Sequence, residues 1–333
     1  MQKVLSIVIP TYNIEAYLGK CLDSFVVTSV LPEIEVLVVN DGSTDGSLAI
    51  AQEYEKRYPD SIRVIDKKNG GHGSTINTGT KEAAGHYFKV VDGDDWVDRV
   101  AFEELVQFLK STEADLVSSN YYWVDHTSGK KTVERRTPFT GVAYEKVYAF
   151  EEISGHTVIK MHALTIRTEV LRQNPYSIDE HCFYVDMEYI LFPIPYVKTV
   201  VFLDLFVYMY RIGLGTQSMN LKNMQRNRAH YEKVFSRLLD FYEINRTEQR
   251  AEYILNYLER NIATMVGGYY KILISLPLSV KVKREMQEFD HMLKQRFPAI
   301  YHAVTSRPVR YLRRTAFLLY YPLHCILKIK MRT

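Results

Sequence analysis

Three carboxylates stand within four residues at Asp92-Gly93-Asp94-Asp95, directly after the apolar run at residues 87–91. In extended chain, residues two apart face the same way, so Asp92 and Asp94 can grip one hard cation together. Magnesium or manganese held there keeps positions open for phosphate oxygens and offsets charge developing on a departing diphosphate. The competing reading is an acidic turn with Asp98 capping the next helix. That reading prevails for an isolated motif. A place at a strand end, beside two other polar rims, tips the balance to the cation.

The first of those rims is Pro10-Thr11-Tyr12-Asn13, with Glu15 just beyond. The second spans residues 38–45, where Asp41 ends an apolar run and can accept from a base or a ribose. Taken singly, each also reads as ordinary turn and cap chemistry: a cap at Asn13, a turn at Asp41-Gly42, an N-cap at Asp45. Asn69-Gly70-Gly71-His72-Gly73 opens a further helix, and its glycines let backbone approach phosphate or sugar. Asn77, one helical turn in, can face the same cleft. The stretch is no dinucleotide fingerprint, since Ile76 stands where the third glycine belongs. It is no P-loop either, since Gly79-Thr80-Lys81 lacks the required order. Farther on, Asp186 and Glu188 lie among apolar and aromatic neighbours, where a carboxylate's pKa rises and it can serve as a general base. The alternative has Asp186 capping a helix and Glu188 in solvent. Arg211 leads into a Gly/Ser/Thr loop ending at Ser218, which suits a lid over phosphate; an edge-strand arginine before a plain loop is the alternative.

These clusters need a frame. Residues 4–10, 34–40, 62–66 and 87–91 read as buried strands rich in β-branched residues. Helices are predicted between them. One follows Asn13, with Ile14, Tyr17, Leu18, Cys21, Leu22 and Phe25 on one face; a second covers residues 47–57. A third covers residues 75–84 and closes with Gly85 as a left-handed cap. A fourth follows Asp98 with Phe102, Leu105, Val106 and Leu109 inward. The alternation predicts an α/β domain: an open, mostly parallel twisted sheet flanked by helices, with ligands at the carboxyl ends of the strands. All three polar clusters fall there. Beyond residue 114 the pattern loosens into strands at 116–124, 131–136 and 197–210, then helices from 222 to 297. The predicted organisation is a domain over 1–220 with halves 1–115 and 116–220, a helical extension over 221–305, and a tail over 306–333.

The chain of 333 residues carries a formal net charge of +3, which gives no bulk-charge basis for nucleic-acid binding. Cys21, Cys182 and Cys325 are odd in number and lack metal-type spacing, so neither a disulfide framework nor a zinc site is expected. Residues 4–10 are too few for a secretory core, and no uncharged apolar stretch reaches about 18 residues. A cytoplasmic protein without a spanning helix is the expectation. In the tail, Arg307, Arg310, Arg313 and Arg314 precede an apolar stretch at 316–327, followed by Lys328, Lys330 and Arg332. That pattern suits an anchor lying on an anionic inner leaflet; a tail helix packed on the core is the alternative.

Together these residues resemble the family 2 glycosyltransferases of the GT-A fold. The resemblance is carried by residues 6–13 with Glu15 and Leu18, by 38–45 and 69–77, by Ala84-Gly85, and by Val90-Val91-Asp92-Gly93-Asp94-Asp95. All keep the family's order over the first hundred residues. It implies that Thr11, Asn13 and Asp41 hold the nucleoside, with Pro10, Tyr12, Glu15, Gly73, Asn77 and Gly93 lining the donor site. Asp92 would lie near ribose and metal, and Asp94 would bind the metal. Val185-Asp186 stands where the family has a Glu-Asp pair whose aspartate is the acceptor base. Residues 210–218, with Arg211 and Ser218, look like the segment that closes on the donor diphosphate. The Gln-x-x-Arg-Trp of processive members is absent, since neither Trp96 nor Trp123 follows an arginine.

The resemblance therefore implies an inverting, single-addition enzyme dependent on Mn2+ or Mg2+. It would move a sugar from a nucleotide diphosphate, a UDP-sugar foremost, to a hydroxyl of a glycan or lipid-linked acceptor in bacterial surface polysaccharide synthesis. The oligomeric state is left open. Two other readings stand beside it. A sugar-phosphate nucleotidyltransferase would carry a glycine-rich loop with a basic residue where Thr11-Tyr12-Asn13 stands. A non-catalytic sugar-nucleotide-binding protein would have no need of the metal aspartates.

Overall fold

The computed structural model describes residues 3–134, 141–215, 217–218 and 220–330, the side chains of 329 and 330 excepted. The chain divides into two compact units, residues 1–214 and 215–333. Parts of three expectations lie outside the described residues: the strand end at 135–136, Thr216 in the glycine-rich loop, and Arg332 in the tail.

The first unit alternates as expected: β1 (Leu5–Thr11), α1 (Glu15–Phe25), β2 (Ile34–Asn40), α2 (Ser47–Arg57), β3 (Ile62–Asp66), α3 (His72–Glu82), β4 (Tyr87–Val90), β5 (Trp96–Val97) and α4 (Arg99–Leu109). β6 (Leu116–Asp125), β7 (Lys131–Val133), β8 (Val147–Ala149), α5 (Phe150–Ser154), β9 (Leu164–Arg167), α6 (Thr168–Gln173), α7 (Asp186–Leu191) and β10 (Thr199–Ile212) follow. The strands form one sheet in the order β3-β2-β1-β4-β9-β6-β10-β5, with β7 beside β6 and β8 beside β10. From β3 to β4 the sheet is parallel, as expected. Beyond β4 the directions mix: β9 is antiparallel to β4 and β6, β10 is parallel to β6, and β5 is antiparallel to β10. β9 and β5 enter from turns rather than crossover helices, which is what antiparallel pairing permits. β10 carries register shifts on both sides of Phe206, the mark of a bulged, bent strand.

Packing on the sheet is what the apolar spacing predicts. β1 is buried along its whole length. α1 buries Leu18, Cys21, Leu22 and Phe25, and α4 buries Phe102, Leu105, Val106 and Leu109. The two helices meet where Phe25 and Phe102 stack edge-to-face at 5.2 Å. Each such side chain contributes about 1.5–3 kcal/mol on burial, so the sheet edge above stands on a rigid base. Two local expectations need correction. α3 starts at His72, earlier than residue 75, because Gly71 turns the chain with φ 83°. Gly85 is no left-handed cap. It is required because a Cβ there would lie 2.4 Å from Ser6 N, where the chain crosses β1.

The second unit is helical: α8 (Leu221–Arg226), α9 (Arg228–Thr247), α10 (Glu252–Ser275), α11 (Val280–Arg296), α12 (Pro298–Ala303), α13 (Arg307–Arg314) and α14 (Tyr320–Lys330). α10 is the hub that the other six helices of this unit touch. The tail packs back on this bundle. Val309, Leu312, Phe317 and Tyr320 are buried, Arg313 pairs with Asp290 at 2.7 Å, and His324 Nδ1 lies 2.7 Å from the Ile274 carbonyl. Leu318, Tyr321 and Ile326 stay exposed beside Arg310, Arg314 and Lys328. No described helix is long and apolar enough to cross a membrane.

Candidate active site

The acidic motif is a turn. Asp95 N donates to the Asp92 carbonyl at 2.9 Å, so the expected extended geometry gives way and residues three apart meet. Gly93 lets this turn press onto the end of β1: a Cβ there would lie 2.3 Å from Ile14 Cδ1 and 3.1 Å from the Pro10 carbonyl. β10 braces the turn from the other side. Tyr208 Oη donates to Asp95 Oδ2 at 2.7 Å, and the Arg211 amide donates to Asp95 Oδ1 at 2.6 Å. Arg211 Nε donates to the Asp94 carbonyl at 2.7 Å, with its guanidinium between the rings of Tyr17 (4.7 Å) and Trp96 (4.9 Å). Arg211, expected on the donor diphosphate, is thus buried beneath the turn as its support.

The residues the sequence reading missed are histidines. Nε2 of His72, the first residue of α3, lies 2.8 Å from Asp92 Oδ1. Ligand atoms of Asp92, Asp95 and His162 all fall within 4.8 Å of one another, the one such three-donor group among the described residues. Both histidines are far in sequence from these aspartates: α3, packed on β1 and β2, brings His72, and the pairing of β9 with β4 brings His162, which lies just before β9.

Electrostatics set these groups apart. Burial, reinforced by the charge of Asp92, pushes the Asp94 carboxyl up to about 6. Burial and its two acidic neighbours drive Asp95 well above the usual carboxylate range. For Asp92 burial acts upward too, but the charge and hydrogen bond of His72 outweigh it and its pKa falls. Burial lowers His162 to about 4, so its imidazole is neutral and has a lone pair to offer. Carboxylates and a neutral imidazole form a donor set that fits a hard divalent cation. Three carboxylates crowded on one turn are costly without one.

Asp186 is the first residue of α7, and burial raises its pKa against the opposing charges of Lys160 and His72. The segment before it is strained: His181 and Tyr184 hold φ of 51° and 69°. Non-glycine residues in that region cost about 1–3 kcal/mol each and gather at functional sites. Glu188 is fully buried, not solvated, and accepts from the Asp179 amide at 2.7 Å.

The donor-site residues are placed as follows. Asn13, at φ 50°, accepts from Thr44 N at 2.8 Å, and Glu15 accepts from Gly46 N at 2.6 Å. Both tie the end of β1 to the loop after β2. Pro10 and Thr11 are buried in β1, while the Tyr12 ring is 51% exposed beside them. Asp41 is almost wholly buried. Its carboxylate accepts from Lys67 Nζ (2.6 Å), Gly70 N (2.8 Å) and Gly71 N (2.7 Å). The loop amides expected to meet phosphate therefore meet Asp41. Asn77 clamps the Ile178 backbone in both directions at 2.9 Å, and a Cβ on Gly73 would lie 2.1 Å from the Asp179 carbonyl. These two secure the segment from Ile178. Ser218 belongs to the second unit.

Comparison with known proteins agrees with this arrangement. Residues 6–173 match the model of glycosyl transferase family 2. Glycosyltransferase GlyA of Streptococcus pneumoniae is 29% identical over 225 residues, 64% of this chain and 31% of its own. EpsJ of Bacillus subtilis, described as an uncharacterized glycosyltransferase, is 39% identical over 137 residues, 41% of this chain and 37% of its own. The chain thus spans about a third of the length of these relatives. Among solved structures, Staphylococcus aureus TarS 1–349 in complex with UDP-GlcNAc superposes with a TM-score of 0.64 at 17% identity, over 99% of this chain and 92% of that one. The mannosyltransferase PcManGT of Pyrobaculum calidifontis, in complex with GDP-Man and Mn2+, gives 0.51 at 15% identity, over 94% and 88%. The fold is that of the GT-A glycosyltransferases, and with half of its length matched the chain belongs to glycosyl transferase family 2.

Proposed function

We propose that the chain is an inverting glycosyltransferase that moves a sugar from a nucleotide diphosphate to an acceptor hydroxyl by a single displacement. The observation that carries this reading is the acidic turn after β4, flanked by His162 and lying within electrostatic reach of Asp186, at the carboxyl edge of the parallel strands. Asp92 and Asp94 would hold a divalent cation, with Asp95 and His162, whose ligand atoms lie within 4.8 Å of that of Asp92, as the further donors at hand; when bound it would neutralise charge on the departing diphosphate. Asp186 takes the proton of the acceptor hydroxyl as its oxygen attacks the anomeric carbon. The bond to the diphosphate oxygen breaks on the opposite face, and the anomeric centre inverts. Arg211 and Tyr208 keep the turn in place. The exposed ring of Tyr12 offers the nucleobase a stacking surface, and the Asp41 and Asn13 braces shape the rim around it.

The UDP-GlcNAc named with TarS and the GDP-Man and Mn2+ named with PcManGT support a nucleotide-sugar donor and a metal. A relative from Bacillus spizizenii, a poly(ribitol-phosphate) beta-glucosyltransferase 34% identical over 136 residues, supports a role in surface-polymer synthesis. The basic, partly apolar outer face of α13 and α14 supports docking on an anionic membrane from the cytoplasmic side. Replacing Arg310, Arg314 and Lys328 together by Gln should abolish sedimentation with anionic vesicles; unchanged sedimentation refutes that docking.

The deciding experiment is a screen of UDP, GDP, dTDP and CMP with manganese by thermal shift, followed by release of nucleoside diphosphate from the matching sugar donor. A stabilising nucleotide that acts only with the metal, and turnover that stops in chelator, is the expected result. Full turnover in chelator overturns the reading.

A further inference from the structure

The parallel register of β6 and β10 pairs Tyr121 with Tyr208 and Trp123 with Tyr210. Paired residues on neighbouring strands share a sheet face, as do residues two apart along one strand. Tyr208 reaches the acidic turn through Asp95, so this is the face on which the chemistry sits. Aromatic rings follow one another outward along it. The His162 ring lies 4.8 Å from that of Tyr208 and 4.2 Å from that of Tyr210. Trp123 then meets Tyr210 edge-to-face at 6.4 Å. Exposure rises along the series, from fully buried Tyr208 to Trp123 at 39%. The wall of rings starts at Tyr208, which holds Asp95 of the acidic turn. In the strand order it lies beyond β4 from β1 and β2, which carry the nucleotide rim.

A partly exposed indole near a strand end, perpendicular to a neighbouring tyrosine, is a costly use of apolar area unless something covers it. A pyranose ring matches it. The axial C–H groups of a sugar face are apolar and carry slight positive charge, which complements the negative face of the indole. The hydroxyls project from the ring's edge, one toward the base and the rest into water. An acyclic polyol presents no such flat face. We infer that Trp123 and Tyr210 wall an acceptor subsite in which a pyranose ring stacks on Trp123, so that the acceptor is a glycan end. The inference rests on the glycosyl-transfer reading with Asp186 as base.

The chain has two tryptophans, Trp96 and Trp123, so the fluorescence difference between the wild-type protein and Trp123→Phe isolates one ring. Methyl glycosides of glucose, galactose and N-acetylglucosamine serve as probes, with glycerol 3-phosphate as control. At least one glycoside should give a saturable change in the difference signal while glycerol 3-phosphate gives none. With that glycoside as acceptor, Trp123→Ala should raise acceptor KM about tenfold and move donor KM less than twofold; Trp123→Phe should recover most of the loss. Three results overturn the inference: a response to glycerol 3-phosphate alone, no response to any glycoside at tens of millimolar, or an equal rise in both KM values. Hydrolysis of donor by water in the wild-type enzyme separates the two levels. If it is absent, glycosyl transfer itself is at fault; if it is present and the glycosides fail, only the aromatic wall falls.

Discussion

Two acidic corners stand at the carboxyl edge of the parallel half of the sheet, and they are wired in opposite ways. After β2, Asp41 meets a lysine and two backbone amides within 2.8 Å, and its carboxylate is spent on holding the loop at Gly70-Gly71. After β4, Asp92, Asp94 and Asp95 crowd one turn, and Asp94 is pushed up to about 6 by burial and by Asp92. The first corner is complete without a ligand. The second carries unbalanced negative charge that an added cation would relieve. Residues of the same type at equivalent strand ends thus separate into scaffold and chemistry, according to whether a carboxylate stands alone among donors or is crowded by other carboxylates.

The most forceful way to break this contrast is to remove the carboxylate that needs a cation. Asp94→Ala should cut manganese-dependent release of nucleoside diphosphate by at least about a thousandfold, with no loss of thermal stability. An active Asp94→Ala enzyme would place the ion elsewhere. Asp186→Asn comes next. It should lower turnover about a hundredfold or more while nucleotide affinity, read by calorimetry, stays level; a matching fall in affinity would deny it the part of base. At the first corner the expected effect is on folding. Asp41→Asn removes the ion pair with Lys67, whose Nζ keeps the Lys68 carbonyl and Ser74 Oγ, and weakens the bonds from Gly70 and Gly71; it should cost about 1–3 kcal/mol in urea unfolding. Unchanged stability with lost nucleotide affinity would make Asp41 a ligand residue and erase the distinction.

A fourth test is finer. Lys89, on β4 beneath the second corner, donates to the carbonyls of His162 and Leu164 at 2.9 and 3.1 Å, and burial lowers its pKa to about 7. Between that value and the ordinary lysine value the unfolded chain binds the extra proton. Stability therefore rises with pH across this window and is lost as pH falls toward 7. Against Lys89→Met, the wild-type protein should gain about 1 kcal/mol per pH unit from roughly pH 7.5 to 9. Parallel stability curves would mean that the ammonium is hydrated.

The parallel half of the fold was legible because its signals are local. β2, α2 and β3 begin and end where β-branched runs, helical spacing and Pro59 put them. The inward face of α4 was readable residue by residue. In the mixed half β6 and β10 were readable as strands, but their partners were not, since β9 and β10 find their neighbours through pairings at least 46 residues apart in sequence. The same divide runs through the site. The aspartates announce themselves as a cluster, but their geometry depends on a turn whose closing bond no composition reveals. His72 reaches them through the packing of α3 on β1 and β2, and His162 through the pairing of β9 with β4. Arg211 illustrates the reverse case: its loop setting read as a lid, while the two rings its guanidinium packs against, Tyr17 and Trp96, lie far away in sequence.

The seam between α3 and the strained segment ahead of α7 has a consequence for engineering. Asn77 is tied to Ile178, Gly73 admits no side chain against Asp179, and the His181 amide reaches the Gly70 carbonyl at 2.5 Å. Two stretches a hundred residues apart therefore behave as one machined part. A chimera that imports residues 69–77 from a relative while keeping the native 178–186 would mate unmatched surfaces and shift the proposed base along with the loop. Exchanging both stretches together keeps the fit, and specificity grafts in this scaffold should be cut along that line.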